Sequence, residues 1–233
     1  MHAVSLRQVG KTYHLDSVDV PALSDITLDI RPDCFTVIAG PSGSGKTTLL
    51  NMIGCIDRPD RGTVEVAGTA VQTLSDNALS DFRARNLGFI FQNFNLLPVL
   101  TAYENVEYPL ILARVPAASR RERVLSLLEA VGLADRAQNR PGQLSGGQRQ
   151  RVVIARALAP SPGIVLADEP TANLDSHTGA AIIALMRKMQ QDYRVSFIFS
   201  SHDPQVMAEA DDVVTIRDGG IVAVERRTAG APA

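Results

Sequence analysis

The chain contains no tryptophan, and aromatic residues make up only 5% of its 233 residues. It has two cysteines, Cys34 and Cys55, whose spacing is not that of a metal-binding pair. This small number argues against a disulfide scaffold and against a cysteine-rich zinc site. We expect both thiols to be reduced and to lie in the core of a cytosolic protein.

A dominant charge of either sign is also missing. Lys and Arg number 23 and Asp and Glu 25, so the formal charge is −2 and no overall field would attract nucleic acid or anionic lipid. No apolar run reaches the ~18 residues that a membrane-spanning helix needs, and the first residues, MHAVSLRQVGK, lack the apolar segment of a signal peptide. We therefore expect a globular protein with no nucleic-acid partner, large enough for one core and an inserted subdomain.

The most specific pattern in the chain is a glycine-rich loop between a strand and a helix. The β-branched run Phe35–Ala39 predicts a buried strand, and Thr48–Ile53 begins a helix. Between them Gly40–Thr47 reads GPSGSGKT, which fits G-x-x-x-x-G-K-[ST] at every fixed position. Glycines let backbone N–H groups converge on phosphate oxygens, Lys46 adds a positive charge, and Thr47 offers a hydroxyl to Mg²⁺. The alternative is an ordinary glycine-rich turn, but the flanking strand and helix are the context that the phosphate-binding motif requires. The predicted nucleoside triphosphate site consists of Gly40, Pro41, Ser42, Gly43, Ser44, Gly45, Lys46, Thr47 and Thr48.

A second apolar run, Ile164–Ala167, ends in two carboxylates, Asp168 and Glu169. Uninterrupted apolar residues indicate a strand of a parallel sheet that is buried on both faces. Because ligands bind at the carboxyl ends of such strands, Asp168 is placed to hold Mg²⁺ through water and Glu169 to polarise an attacking water. The alternative is a capping or salt-bridged pair. His202 follows another predicted strand, Val195–Ser200. A lone histidine is more often structural, but this one would lie at the same sheet edge as Asp168 and Glu169, and we interpret it as a sensor of the γ-phosphate.

Three further features are weak when each is taken alone. Tyr13 follows a predicted strand, Val4–Val9, and could stack on a purine, although a half-buried tyrosine at a strand end fits equally well. Gln92 ends a buried strand and could reach a metal or a water through its amide oxygen, although a plain strand end is more common. Ser145 is an N-cap candidate in Leu144–Gln148 (LSGGQ), whose glycines would make a second anion site at a helix start; capped helices are common, however.

Between about residues 93 and 143 the pattern becomes helical. The spacing of apolar residues predicts helices near Ala102–Arg114 and Ala118–Val131. The apolar stripe of the second helix consists of Leu125, Leu128 and Val131. The segment before these helices is apolar for a loop, and its large side chains either form a docking surface for a partner or pack inward. These side chains are Phe94, Leu96, Leu97 and Tyr103.

Together these residues resemble the nucleotide-binding subunit of ABC transporters over nearly the whole chain. LSGGQ at Leu144–Gln148, directly before RQRVVIARAL, is the signature of that family and is far more specific than the phosphate loop. The resemblance implies an α/β P-loop NTPase fold (ABC ATPase) with a RecA-like core, an N-terminal antiparallel β subdomain and an inserted α-helical subdomain. Within a single domain of residues 1–233, the core would occupy about 1–92 and 160–225 and the helical subdomain about 93–159, with a disordered tail at 226–233.

The resemblance also implies a role for each site residue. Tyr13 would stack on adenine, Glu169 would be the general base, and His202 would be the switch histidine. The Mg²⁺ ligands would be Thr47, Gln92 and Asp168, with Gln92 also sensing the catalytic water. Ser145 and Gly147 would touch the γ-phosphate of the ATP held by the opposite subunit. The remaining residues at that dimer seam would be Gly146, Gln148 and Asp175.

Several stretches, among them LGFIFQNFNLLPVLTAYENVEYPL and IVLADEPTANLDS, are similar to one branch of the family. That branch contains the ATPases of macrolide and peptide efflux pumps, of lipoprotein-releasing systems and of the cell-division ABC complex. The resemblance implies a homodimer that hydrolyses two ATP with Mg²⁺ and drives a separate integral-membrane permease carrying an external domain. The permease would dock near Phe94–Tyr103, which would place the chain peripherally at the cytoplasmic face of the inner (plasma) membrane.

Other functions account for fewer of these features. A signalling module could use the same ATPase to control a cell-wall enzyme through a membrane partner, without transport. A soluble ABC protein of DNA repair or translation usually carries two cassettes or a long coiled coil, and this sequence shows neither. An adenylate-type kinase would not explain LSGGQ or the helical insert.

Overall fold

The structure is a computed structural model and describes residues 2–15 and 18–227. The strands are β1 (Val4–Leu15), β2 (Val18–Ile30), β3 (Phe35–Ala39), β4 (Arg61–Val66), β5 (Thr69–Ala70), β6 (Leu87–Ile90), β7 (Ile164–Asp168), β8 (Ser196–Ser200), β9 (Asp212–Arg217) and β10 (Gly220–Arg226). The helices are α1 (Lys46–Ile53), α2 (Asp76–Asn86), α3 (Ala102–Leu112), α4 (Ala117–Ala130), α5 (Gly146–Leu158), α6 (Ser176–Tyr193) and α7 (Pro204–Ala208). None of these helices is long and apolar enough to cross a bilayer.

The strands form two sheets. The larger has the order β10-β9-β3-β8-β7-β6, in which all neighbours are parallel except the terminal hairpin of β9 and β10. The smaller has the order β2-β1-β4-β5 and is antiparallel throughout. This combination of a parallel core sheet and an N-terminal antiparallel sheet is the predicted one.

The position of β8 between β3 and β7 determines where the site lies. All five residues of β3 are buried, and its Phe35 ring lies 4.2 Å from that of Phe199 on β8. Since parallel strands end at one edge of the sheet, the residues that follow β3, β7 and β8 are brought together there. These are the phosphate loop, the carboxylate pair and the predicted switch histidine.

The helices of residues 102–158 share their core with the large sheet. Buried side chains of α3, α4 and α5 belong to one apolar cluster with Phe35, Phe197 and Phe199. The buried stripe of α4 is Val124, Leu127 and Leu128 and continues to Val131, the residue after the helix, with the i, i+3, i+4, i+7 spacing of a core-facing helix. The prediction that Leu125 belongs to this stripe is wrong, because its side chain is 43% exposed.

Three other expectations need correction. Tyr13 lies within β1 and not after it, because the polar residues around it pair with β2 up to the end of the hairpin. Cys34 is only half-buried, whereas Cys55 is buried and both thiols are free. The predicted disordered tail is wrong for its first two residues: Arg226 ends β10, and the N–H of Arg227 donates to Asp211 O at 2.7 Å. Residues 228–233 lie outside the described part of the chain.

Candidate active site

A cavity of about 620 Å³ opens at the carboxyl edge of the large sheet and extends to the small sheet. It brings together most of the site residues that the sequence predicts. Those that line it are Tyr13, Pro41, Ser42, Gly43, Gly45, Lys46, Thr47, Thr48, Gln92, Asp168, Glu169 and His202. Part of β2, from Val20 to Ala22, completes the wall beside Tyr13.

The phosphate loop has a conformation that suits an anion. Gly43 and Gly45 have φ angles of 77° and 103°, in the left-handed region that glycine adopts readily. A Cβ at Gly45 would also come within 2.6 Å of Ala22 O. Helix α1 begins directly afterwards, so its positive end faces the loop. The ammonium of Lys46 donates to Gly40 O and Pro41 O, both at 2.8 Å, and is held against the loop.

Oxygen donors meet beside this loop. Thr47 Oγ1 lies 3.3 Å from both carboxylate oxygens of Asp168, and Ser200 Oγ donates to Asp168 Oδ1. The exposed amide of Gln92 lines the same cavity. In the described part of the chain no cluster of three or more His, Cys, Asp or Glu residues could hold a metal. One carboxylate, a hydroxyl and an amide nevertheless suit Mg²⁺, which typically completes its shell with substrate phosphates and water.

Glu169 and His202 form a pair at the same edge. His202 Nδ1 lies 2.8 Å from Glu169 Oε1, and the histidine side chain is 73% exposed while that of the glutamate is 18% exposed. Glu169 has a φ of 45°, which is uncommon for a residue with a side chain and is found more often at functional sites. Its N–H donates to Ser200 O at 3.1 Å, which fixes this conformation against β8. The arrangement leaves one carboxylate oxygen free of the histidine and able to accept a proton from water.

Tyr13 lies at the other end of the cavity, on β1. Its hydroxyl donates to Asp57 Oδ2 at 3.1 Å, and burial raises the pKa of that hydroxyl above its usual value. Asp57 itself was not predicted from the sequence, because it stands in a polar loop with no motif around it. The ring of Tyr13 is half-buried and forms part of the cavity wall, so both interpretations of this residue are compatible with its position.

The LSGGQ residues lie outside this cavity. Ser145 caps α5: its Oγ accepts from Gln148 N at 3.3 Å, and Gln148 Oε1 accepts from Ser145 N at 2.9 Å. The two glycines between them, Gly146 and Gly147, are the first residues of the helix. Asp175 likewise caps α6, and its Oδ1 accepts from Thr178 N at 2.9 Å, a bond that holds the pKa of this carboxyl below its usual value. Within one copy of the chain these residues therefore do not reach the phosphate loop's cavity.

Comparison with known proteins identifies the family. Residues 23–172 match the family described as "ABC transporter". An uncharacterized ABC transporter ATP-binding protein of Thermotoga maritima is 48% identical, over 96% of this chain and 95% of that protein. The lipoprotein-releasing system ATP-binding protein LolD of Pseudomonas fluorescens is 43% identical, over 95% and 97%.

A longer relative is the macrolide export ATP-binding/permease protein MacB of Brucella melitensis, which is 47% identical over 94% of this chain. The chain spans only 34% of the length of MacB. Among solved structures, a dimer of the ATP-binding cassette MJ0796 bound to ADP and Pi superimposes with a TM-score of 0.88 at 41% identity, covering 97% of this chain and 99% of that one. The chain therefore belongs to the ABC transporter family, in the branch of the macrolide-export and lipoprotein-releasing ATP-binding proteins, as an ATPase cassette.

Proposed function

We propose that two copies of this chain close around two molecules of ATP with Mg²⁺, and that closure and hydrolysis drive a membrane permease. The observation that carries the proposal is the separation of the two anion sites. The phosphate loop lines the cavity, whereas Ser145 caps an exposed helix start outside it. A second copy, facing the first head to tail, would bring its own Ser145 and Gly147 to the γ-phosphate. The dimeric form of MJ0796 supports this arrangement.

The residues of the cavity divide the chemistry among them. Lys46 and the loop N–H groups would hold the phosphates in line, which is most of what phosphoryl transfer requires of a protein. Thr47, Asp168 and Gln92 would hold Mg²⁺, whose charge would neutralise the phosphate oxygens. Glu169 would accept the proton of the attacking water, and His202, hydrogen-bonded to Glu169, would sense the γ-phosphate. Tyr13 would stack on the adenine.

A matched pair of variants tests the dimer. In Glu169→Gln we expect ATP to bind but not to be hydrolysed, so that Mg·ATP traps a dimer whose mass light scattering measures. Adding Ser145→Arg to the same variant should leave ATP bound to a monomer, because Ser145 touches only the partner's nucleotide. Retained wild-type turnover in Glu169→Gln would refute its role, and a dimer of the double variant would refute the role of Ser145.

The permease would dock at an apolar groove of about 380 Å³, which lies between α3 and the residues that follow β6. Phe91 and Asn95 line it on one side and Tyr108 and Leu112 on the other, and the side chain of Leu112 is 64% exposed. The large side chains before and at the start of α3 divide into two groups. Phe94, Leu96 and Tyr103 pack partly inward, whereas Leu97 and the nearby Val99 are exposed. We therefore extend the proposed surface from Phe94–Tyr103 to include the exposed side of α3.

The names of the relatives favour transport, by export or lipoprotein release, over the signalling alternative. MacB is named as an ATP-binding/permease protein in one chain, so a separate permease subunit and a linked permease domain both fit the relatives. Either arrangement would place the cassette at the cytoplasmic face of the membrane. We further propose that the core occupies about residues 1–92 and 160–225 and the helical subdomain about residues 93–159.

A further inference from the structure

A half-buried charge network lies beside the ring of Tyr13. Asp57, in the loop after α1, accepts from Lys11 Nζ at 2.9 Å through Oδ1 and from the Tyr13 hydroxyl at 3.1 Å through Oδ2. Lys11 Nζ also donates to Arg58 O at 2.9 Å and lies 5.3 Å from the centroid of the Tyr13 ring. The side chains of Lys11 and Asp57 are only 13% and 31% exposed, so the pair is shielded from much of the solvent.

The network connects the two ends of the nucleotide cavity. Helix α1 begins at the phosphate loop and leads into the loop of residues 57–60, while Lys11 and Tyr13 belong to β1. A second set of bonds fastens the same two segments: Thr12 N donates to Asp60 Oδ2 at 2.6 Å, and Asp60 N donates to Gly10 O at 2.9 Å. The spacing between the tyrosine ring and the phosphate loop is therefore fixed through this loop.

The charge state of Asp57 keeps the network intact at neutral pH. Burial alone would raise the pKa of this carboxyl, but the hydrogen bonds from Lys11, Arg58 N and Tyr13 outweigh burial and hold the pKa below its usual value. Both oxygens are thus available as acceptors, one for the ammonium and one for the tyrosine hydroxyl. Because the hydroxyl lies at the far end of the tyrosine ring, its bond to Asp57 restricts the χ1 torsion and so holds the ring in one position against the cavity wall. The O–H bond of a phenol prefers the plane of its ring, so the direction of Asp57 Oδ2 also favours one orientation of the ring face.

We propose that Asp57 is a positioning residue for the base: it fixes the Tyr13 ring at the orientation in which adenine stacks, at a set distance from the phosphate loop. The proposal rests on the proposed function, in which Tyr13 is the stacking residue. Asp57 would touch no part of the nucleotide itself. Its effect should therefore appear for ligands that have a base and be absent for a ligand that consists of phosphates alone.

The test compares two ligands by calorimetry in the presence of Mg²⁺: ATP, and inorganic tripolyphosphate, which has no base. The quantity of interest is the ratio of their affinities for the full chain. In Tyr13→Ala we expect this ratio to fall about 10-fold, the upper end of what one stacked ring contributes. In Tyr13→Phe, which keeps the ring and the Lys11–Asp57 pair, and in Asp57→Ala, we expect a fall of about 3-fold.

Asp60→Ala is the matched control, because Asp60 fastens the same loop to the same strand and also pairs with Lys11, at 3.6 Å, but accepts no hydrogen bond from Tyr13. It should leave the ratio at the wild-type value. If Tyr13→Ala lowers the ratio while Tyr13→Phe and Asp57→Ala do not, the positioning role is wrong and the stacking role survives. If Tyr13→Ala leaves it unchanged, stacking itself is wrong. Should Asp57→Ala fail to fold, Tyr13→Phe decides the matter alone, since it removes only the hydroxyl.

Discussion

Single contacts at the edge of the large sheet determine what each catalytic group can do. The side chain of Glu169 is largely shielded from solvent, whereas that of His202 is exposed, and one hydrogen bond of 2.8 Å joins them. A carboxylate held in this way keeps a defined direction while its second oxygen stays free for water. The left-handed backbone conformation of Glu169 helps to set this direction, and it is held in place because the N–H of Glu169 donates to Ser200 O.

Ser200 supports the proposed Mg²⁺ site from behind. It is buried at the end of β8, opposite Asp168 in the strand register, and its hydroxyl donates to Asp168 Oδ1. In Ser200→Ala the carboxylate loses this donor, and we expect the Mg²⁺ concentration at half-maximal ATP binding to rise about 10-fold, as for other partners of metal ligands. The measurement is a titration of ATP binding with Mg²⁺. Ser201→Ala is the control, because the Ser201 hydroxyl contacts Asp203 N instead. Equal Mg²⁺ dependence in both variants would contradict the role of Ser200.

At this scale the sequence reveals motifs but not the residues that support them. Asp168, Glu169 and His202 could be placed together because each follows an apolar run, and parallel strands end at one edge. Ser200 and Asp57 could not be found in this way. Ser200 contacts Asp168 only through strand register, and Asp57 contacts Tyr13 only because a loop after α1 returns to β1.

Among the elements, α4 shows how a single position of an apolar stripe can be misassigned. The predicted stripe shares Leu128 and Val131 with the observed one and is wrong only at Leu125, where the buried position belongs to the preceding residue, Val124. We expect Leu127→Ala, at a fully buried position, to lower the free energy of unfolding by about 2–4 kcal/mol through lost burial and a cavity. Leu125→Ala, on the exposed side of the same helix, should change it by less than about 0.5 kcal/mol. Urea denaturation of the two variants measures the difference, and similar losses would contradict the observed phase.

Asp211, the residue before β9, connects that strand to α6 and β3. It accepts from both terminal nitrogens of Arg187 on α6, at 2.7 and 2.9 Å, and from the N–H of Phe35 on β3 at 2.8 Å. Burial alone would raise the pKa of Asp211, but these bonds outweigh it and hold the pKa below its usual value. Because the folded chain binds this proton more weakly than the unfolded chain, the stabilisation is complete above the ordinary pKa of about 3.9. It is lost as the pH falls through the lower, folded-state pKa.

Asp211→Asn should therefore reduce the free energy of unfolding by about 1–3 kcal/mol at neutral pH, as expected for a charged hydrogen-bonded pair that loses one partner. The gap between variant and wild type should narrow when the measurement is repeated at about pH 3, below the ordinary pKa, because the unfolded wild-type chain then takes up a proton that the folded chain binds more weakly. Chemical denaturation at both pH values measures this. A gap that stays constant with pH would show that the charge of Asp211 is not what stabilises the junction.

For the molecule as a whole, the sequence predicts which kinds of sheet are present better than it predicts the length and pairing of their strands. The large parallel sheet and the antiparallel N-terminal sheet follow from apolar runs and from alternating patterns. The length of β1 does not, because its polar residues from Lys11 to His14 show no alternation. Their strand conformation comes from pairing with β2, and that pairing is what brings Tyr13 to the cavity.

Because the phosphate loop and the LSGGQ helix are separate within one copy, the ATPase rate of the protein should depend on its concentration. If each ATP is hydrolysed only between two copies, the active species is a dimer whose amount depends on the square of the monomer concentration when the chain is dilute. We therefore expect the ATPase rate per chain to rise in proportion to concentration in that range and to level off once most chains are paired. Lys46→Ala should show no turnover at any concentration, which excludes a contaminating ATPase. A rate per chain that stays constant on dilution, while light scattering shows a monomer, would mean that one copy completes the site unaided and that Ser145 has another role.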